Sequence, residues 1–262
     1  MLYYIVMILH DFSPQAHQVI YTTLAEVAHR YGDGKKAGFI ASYPYHNLSH
    51  ALSVMEGSIE LTRHLNLSQA AIELAAMSGA AHDVIRERIE DETPEQASAA
   101  WLHDTMKSYD YGDEDISVTT EAILATTASV DEHGILIAQT HSIDSGSEAG
   151  KVALSVASAD LWSLYKPEGI RIAHDYFREL KGLAGAEVPT SLDGLREFEA
   201  SEVVLLRDYR FPLATAEKLS ATYREDAIAQ HAFLLTLLED GRIHDWQEIE
   251  RLDTAYYRRH AN

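Results

Sequence analysis

The chain contains no cysteine. That excludes disulfides, thiolate catalysis and cysteine-type zinc sites, and leaves His, Asp and Glu as the metal ligands on offer. Only six proline and fourteen glycine residues punctuate the 262 positions, too few for a disordered chain or a loop-rich sandwich. Positive charge is scarce as well. The 21 Lys and Arg face 41 Asp and Glu, a formal net charge of -20. Such a balance argues against a surface that grips DNA, RNA or anionic lipid, all of which reward Lys and Arg. It also repels any phosphorylated substrate, so a bound cation and a few local basic groups must reverse the field at a phosphate site. No apolar run reaches the roughly 18 residues of a membrane span. The segment 1–9 is apolar but short, lacks a basic start and runs into His10 and Asp11. It reads as a buried segment or a homodimer contact, not as a signal peptide. There is no internal repeat and no low-complexity tract. The expectation is a soluble, cytoplasmic protein.

What is present favours helices. Apolar residues make up 46% of the chain, enough for a substantial core. Ser13-Pro14 is a capping residue followed by proline at the first helical position, and it opens a helix to about Tyr31. Gly32, Gly34 and Gly38 mark a loop. From Tyr45 to Leu65, apolar residues fall at near-helical spacing. Ala70 to Ala81 is rich in Ala, Leu and Met and reads as a buried helix. Thr93-Pro94-Glu95-Gln96 repeats the cap-plus-proline signal and starts a helix to about Tyr109. Further helices are expected over 117–127, 151–165 and 169–180, then near 196–210, 214–240 and 244–259. Residues 131–148 and 182–194 read as connections. The expected fold class is all-α: a single domain over 1–262, with a core at about 14–181 and C-terminal helices at about 195–262 packed on it.

Three stretches carry chemistry. In Tyr45-His46-Asn47-Leu48-Ser49-His50, the two His are four apart, so on a helix they project from one face. Such a pair can share a metal, or one can bind while the other moves a proton; it is also simply what a polar helix face looks like. In Ala80-Ala81-His82-Asp83, a His next to an Asp ends an otherwise apolar helix. Burying either without a partner is costly, and a divalent cation would satisfy both; a solvent-facing helix end is the plain alternative. Asp160 is the only charge between Lys151 and Lys166, which suits either a ligand or a hydrogen-bonded core residue.

Taken together, a His, then a His-Asp pair, then a distant Asp, all on expected helices, resembles the HD superfamily of metal-dependent phosphohydrolases. The Tyr-His-Asn-Leu-Ser-His stretch is similar to the entry motif of cyclic-nucleotide phosphodiesterases. It is similar too to a bacterial family of predicted HD phosphohydrolases, which share the Ala-rich helix into His-Asp, a following Glu-x-x-Ser-Ala (here Glu95 to Ala99) and an Asp-Leu near Asp160. The resemblance covers residues 45 to about 181. It implies that His50, His82, Asp83 and Asp160 ligate a divalent ion. Two nitrogens and two carboxylates suit Mn, Mg, Fe, Co, Ni or Zn without choosing among them. Such an ion supplies an activated water near neutral pH, with Asp83 contributing to catalysis as well as ligation. His46, in the position of the phosphodiesterase proton donor, would protonate the leaving oxygen. Glu95 could orient the water or support a ligand, or serve as an ordinary first-turn acid. Arg86 and Arg88 are candidates for binding the phosphate, or members of a self-paired acidic loop with Glu87, Glu90, Asp91 and Glu92; Lys151 has the same status.

The chain departs from the phosphodiesterases after the His-Asp pair, where Val84-Ile85-Arg86 stands. The expected substrate is therefore a small phosphorylated molecule, a phosphomonoester or nucleotide, with a diester behind it. Two other classes stay open. One is an HD-fold di-iron oxygenase, which would need extra His ligands from among His103, His133 and His141. The other is a non-catalytic regulatory module that binds a metal or nucleotide.

Overall fold

A computed structural model describes residues 8–32, 43–86, 92–130, 136–139, 143–183 and 187–260. The helices are α1 (Pro14–Tyr31), α2 (Leu48–His64), α3 (Gln69–Ala81), α4 (Pro94–Ser108), α5 (Asp113–Leu124), α6 (Glu148–Trp162), α7 (Gly169–Leu180), α8 (Leu195–Asp208), α9 (Ala214–Glu239) and α10 (Trp246–His260). A 3-10 turn at Ser163–Tyr165 extends α6. The all-α expectation holds, with one addition at the start of the stretch read as a connection. Strand β1 (Ala128–Val130), just before that stretch, pairs antiparallel with β2 (Leu136–Gln139) inside it, Ala128 opposite Gln139. The apolar run Leu136-Ile137-Ala138 is too short for a helix and finds its backbone partners in a hairpin instead.

Local signals place the helix starts. Ser13 accepts a hydrogen bond from the Ala16 amide with Pro14 at the first position, and Ser68 accepts from Ala71. Thr93 and Gln96 form a reciprocal capping box, and Ser147 caps α6 through the Gly150 amide. Each satisfies a backbone donor that the first helical turn leaves open.

α3 is the central element, buried at nearly every position from Ala71 to Ala81, and α1, α2, α5 and α6 pack around it. Small residues set how closely. A Cβ on Gly79 would stand 2.8 Å from Ser58 Oγ and 3.0 Å from the Val54 carbonyl. A Cβ on Gly57 would meet that of Ala159 at 3.0 Å. Glycine thus lets the α2 backbone approach both α3 and α6, which draws His50, His82 and Asp160 toward one point. A second apolar cluster joins Val54 and Leu61 to Trp162, Tyr165, Leu206 and Phe211. A third, with Ile170, Phe177, Leu195, Leu234 and Trp246, ties α7 to α8, α9 and α10. Among the described residues, no helix is long and apolar enough to cross a membrane.

Candidate metal centre and its cavity

The helix expected from Tyr45 begins only at Leu48, with Asn47 as its cap. Asn47 Oδ1 accepts from the amides of Ser49 and His50, and its Nδ2 donates to the carbonyls of Tyr43 and Pro44. His46 therefore sits before the helix and does not share a helical face with His50. The cap won over the apolar spacing because Asn47 closes the first turn. Both rings still reach the site, by different routes. His50 projects from the first turn of α2. His46 is held by a residue that sequence reasoning did not pick out, Glu179 near the end of α7. Glu179 Oε1 pairs with His46 Nδ1, and its Oε2 accepts from the amides of His46 (2.9 Å) and Tyr45 (3.1 Å).

His82 ends α3, and its Nδ1 donates to the Gly79 carbonyl at 2.9 Å. That bond aims Nε2 at the centre. The expected alternative, a solvent-facing helix end, does not occur: the His82 side chain is 1% exposed. His82 Nε2 lies 3.1 Å from His50 Nε2, 3.0 Å from Asp83 Oδ2 and 3.4 Å from Asp160 Oδ1. His50 Nε2 lies 3.5 Å from Asp83 Oδ2 and 3.3 Å from Asp160 Oδ1. Four donor atoms from α2, α3, the turn after it and α6 thus converge. Two histidine nitrogens facing each other cannot satisfy one another when both are bare or both protonated, whereas a cation between them satisfies all four groups. Ligand atoms roughly 2.1 Å from a shared ion stand about 3.0–3.4 Å apart, which is the spacing observed. Two triads here could hold a metal ion: His50, His82 and Asp160, and His46, His50 and Asp83, with His46 Nε2 3.6 Å from Asp83 Oδ2.

The electrostatics agree. Burial opposes charge on His82, yet Asp83 and Asp160 outweigh it and hold the ring well above its ordinary value. Burial likewise opposes charge on His50, and hydrogen bonds to Asp160 and Asp83 overcome it. For Asp83, burial is overridden by His82, Arg86 and His46, leaving the carboxyl well below the usual range; Asp160 is held down against burial by His50 and His82. A site that keeps two carboxylates ionised and draws positive charge onto two buried imidazoles attracts a cation. His46 behaves differently: burial wins over Asp83 and Glu179 and lowers it.

Asp83 and Asp160 keep an open edge, at 12% and 18% exposed, and it faces a cavity of about 390 Å³. His46, Arg86 and Glu95 line it, and Tyr176, Phe198, Ser201, Glu202 and Leu205 come from α7 and α8. Arg86 Nη1 donates to Asp83 Oδ1 at 2.9 Å. The surrounding turn is pinned from two sides: the Arg86 amide donates to Tyr31 Oη, and Ser98 Oγ bonds both the amide and carbonyl of Ile85. Ser98 of the Glu-x-x-Ser piece therefore braces the segment that carries Asp83, while Glu95 of the same piece reaches the cavity. Arg88, His133 and His141 lie outside the described residues. Lys151 does not line the cavity. His103 is exposed on α4 and pairs with Asp104, so it contributes no second-metal ligand.

No family model and no curated protein matches the chain. Among solved structures, the crystal structure of Bacillus subtilis YpgQ in complex with ADP is similar over 86% of this chain and 94% of that one, at 15% sequence identity and a TM-score of 0.53. YpgQ is an HD-domain protein. The two chains share an all-α fold, and at 15% identity the likeness speaks for the fold alone. The convergent His and Asp groups occupy the core helices and the turn after α3, while Phe198, Ser201, Glu202 and Leu205 of α8 also line the cavity.

α8 was legible as a helix but not as part of the site. Its buried positions are Leu195, Glu199, Glu202 and Leu206, a helical stripe with two Glu on the buried face. That placement was the available signal.

Proposed function

We propose that this chain is a metal-dependent phosphohydrolase that cleaves a phosphate ester, a phosphomonoester or nucleotide before a diester. The observation that supports it most strongly is the convergence of four groups: His50 Nε2 and His82 Nε2 lie 3.1 Å apart, and Asp83 Oδ2 and Asp160 Oδ1 each lie 3.0–3.5 Å from both nitrogens, where the two carboxylates line a cavity. The ADP in YpgQ supports a nucleotide among the substrates to try.

In this reading His50, His82, Asp83 and Asp160 hold the divalent ion. When bound, the ion supplies an activated water near neutral pH and positive charge against the phosphoryl oxygens. The chain supplies the rest. Arg86, already on Asp83, offers its remaining donors to the phosphate. Glu95 faces the same space and orients water. As the bond from phosphorus to the leaving oxygen breaks, His46 Nε2 delivers a proton to that oxygen. Glu179, on Nδ1, fixes the ring and decides which nitrogen faces the substrate. Burial lowers the His46 pKa, so its imidazolium is a stronger acid but is less populated near neutral pH, and turnover by this route should fall as the pH rises. Tyr45 packs against both His46 and His50, with ring centroids 4.5 and 4.4 Å away, and keeps water from that side.

The test is turnover by purified protein supplied with Mn, Mg, Ni or Co, on p-nitrophenyl phosphate, its bis-ester and a nucleotide panel. Phosphate release that chelator abolishes is expected. No release with any metal would favour a binding module instead.

A further inference from the structure

The cavity lining is chemically mixed. It includes the ligand carboxylates, His46 and Arg86. Among the described lining residues, Arg86 is the sole Lys or Arg. The lining also includes the apolar Leu161, Leu164, Ala173, Leu180, Phe198 and Leu205. Among the lining residues that α8 contributes, one is a carboxyl, Glu202. It is 7% exposed, and its Oε2 has no hydrogen-bond partner. Among the described residues with such an orphaned buried atom, Glu202 alone lines this cavity.

A neighbouring residue sharpens the contrast. Glu199, one turn earlier on α8, is fully engaged: Oε1 with His174 at 2.9 Å and Oε2 with His231 at 2.7 Å. Glu202 stands close enough to His231, Glu199 and His174 to feel their charges, but its Oε2 makes no hydrogen bond to them. A buried polar atom with no partner costs free energy that an apolar side chain would avoid; Glu202 also lines the cavity, so its carboxyl can turn to a partner that arrives with a ligand. The Tyr176 hydroxyl feels Arg86, Glu179 and Asp160 as well as Glu202, which places Glu202 and the metal centre about the same space.

We propose that Glu202 is a specificity-determining residue that takes a hydrogen-bonding hydroxyl or amine on the organic part of the substrate, and that this substrate is a phosphomonoester. The assignment rests on the phosphohydrolase reading. One phosphoryl group suits a cavity in which, among the described lining residues, Arg86 is the one permanent cation beside the metal the reading places there; a chain of phosphates would meet apolar side chains and further carboxylate. Burial pushes the Glu202 carboxyl up to about 7, so near neutral pH it can donate as well as accept. That matches a hydroxyl or an amine and disfavours a second anion.

The experiment compares wild type, Glu202→Gln and Glu202→Leu, all loaded with Mn. The substrates are phenyl phosphate, whose organic part carries no hydrogen-bonding group, the four nucleoside 5′-monophosphates, glucose 6-phosphate and ADP. Wild type is expected to prefer a donor-bearing monoester over both phenyl phosphate and ADP. In Glu202→Leu the ratio of kcat/KM for that monoester over phenyl phosphate should fall by about tenfold, the worth of one hydrogen bond, with Glu202→Gln restoring most of it. The melting temperature of Glu202→Leu should not fall, because no internal partner is lost; a lowered melting temperature with an unchanged ratio would mark Glu202 as structural and overturn the assignment. A preference for ADP, or no turnover of any donor-bearing monoester beside good turnover of phenyl phosphate, would overturn it as well. If wild type hydrolyses nothing, the phosphohydrolase reading fails by itself. Calorimetric binding of AMP to the Mn-loaded protein then decides: about tenfold weaker binding in Glu202→Leu supports the role, and no binding or equal binding rejects it.

Discussion

Two buried clusters of histidine and carboxylate stand out among the described residues, and they are built on opposite principles. In the core, His50, His82, Asp83 and Asp160 aim their polar atoms at one point, nitrogen against nitrogen at 3.1 Å. In the C-terminal layer, His174 Nδ1 meets Asp253 at 2.7 Å, His174 Nε2 meets Glu199 at 2.9 Å, and His231 meets the other Glu199 oxygen at 2.7 Å. There every ring nitrogen in contact has a carboxylate opposite it, and α7, α8, α9 and α10 are laced together. In the second cluster each contact pairs nitrogen with carboxylate; in the first, the carboxylates pair with both rings but the two nitrogens also face each other, an arrangement that a cation between them satisfies. Residue type alone does not separate a ligand set from a structural network. The direction of the lone pairs does.

Removing a residue from each cluster should therefore break different things. The largest effect is expected from Asp83→Ala or His82→Ala, which should lose stoichiometric metal and on the order of 10³-fold or more in turnover, equivalent to about 4 kcal/mol of transition-state stabilisation. Elemental analysis and kinetics on the same preparation check it, with circular dichroism to show that the helices remain. Glu199→Ala should do the reverse. It leaves two buried imidazoles without their shared partner and should cost about 3–5 kcal/mol in urea unfolding, with the metal kept by the fraction that stays folded.

The pH dependence of stability carries the same contrast. Burial opposes charge on His174, but its bonds to Asp253 and Glu199 outweigh that and raise it to about 10 from an ordinary 6.5. A raised histidine contributes fully below its unfolded value, so this contribution should be complete below about pH 6.5 and drain away as the pH climbs toward 10. Burial would raise Glu199, but His231 and His174 bring it down to about 2 from an ordinary 4.5. That contribution is present above about pH 4.5 and lost as the pH falls toward 2. Wild-type unfolding free energy should decline by a few kcal/mol between pH 6.5 and 10, and His174→Gln should flatten that limb. An unchanged slope in the variant would show that the network does not carry it. The smallest effect is expected from Glu179→Ala, which leaves the ligands alone and unseats His46. A loss of roughly 10–100-fold in kcat, largest for substrates with poor leaving groups and with metal content unchanged, is the expected signature.

The sequence made the core site readable because its pieces are local. His82-Asp83 after an alanine-rich helix, and a lone Asp160 amid small residues, are visible in a dozen positions each. The supporting residues are not local. Glu179 reaches His46 across 133 positions, and nothing in an amphipathic α7 announces it. Glu199 and Glu202 were readable only as two acids on the buried stripe of α8, a pattern that needs the packing to be interpreted. The shared helical face of His46 and His50 was misread because Asn47 caps the chain between them. The hairpin was missed because its strands are three and four residues long, below the length at which alternation is distinct.

Metal content of wild type, Asp160→Asn and Glu199→Gln, each purified in chelator and re-equilibrated with one divalent ion, tests the central claim most directly. Wild type and Glu199→Gln should each retain stoichiometric metal, and Asp160→Asn should retain far less. Equal metal content in all three, or none in wild type, would contradict the reading of the convergent cluster as a metal centre.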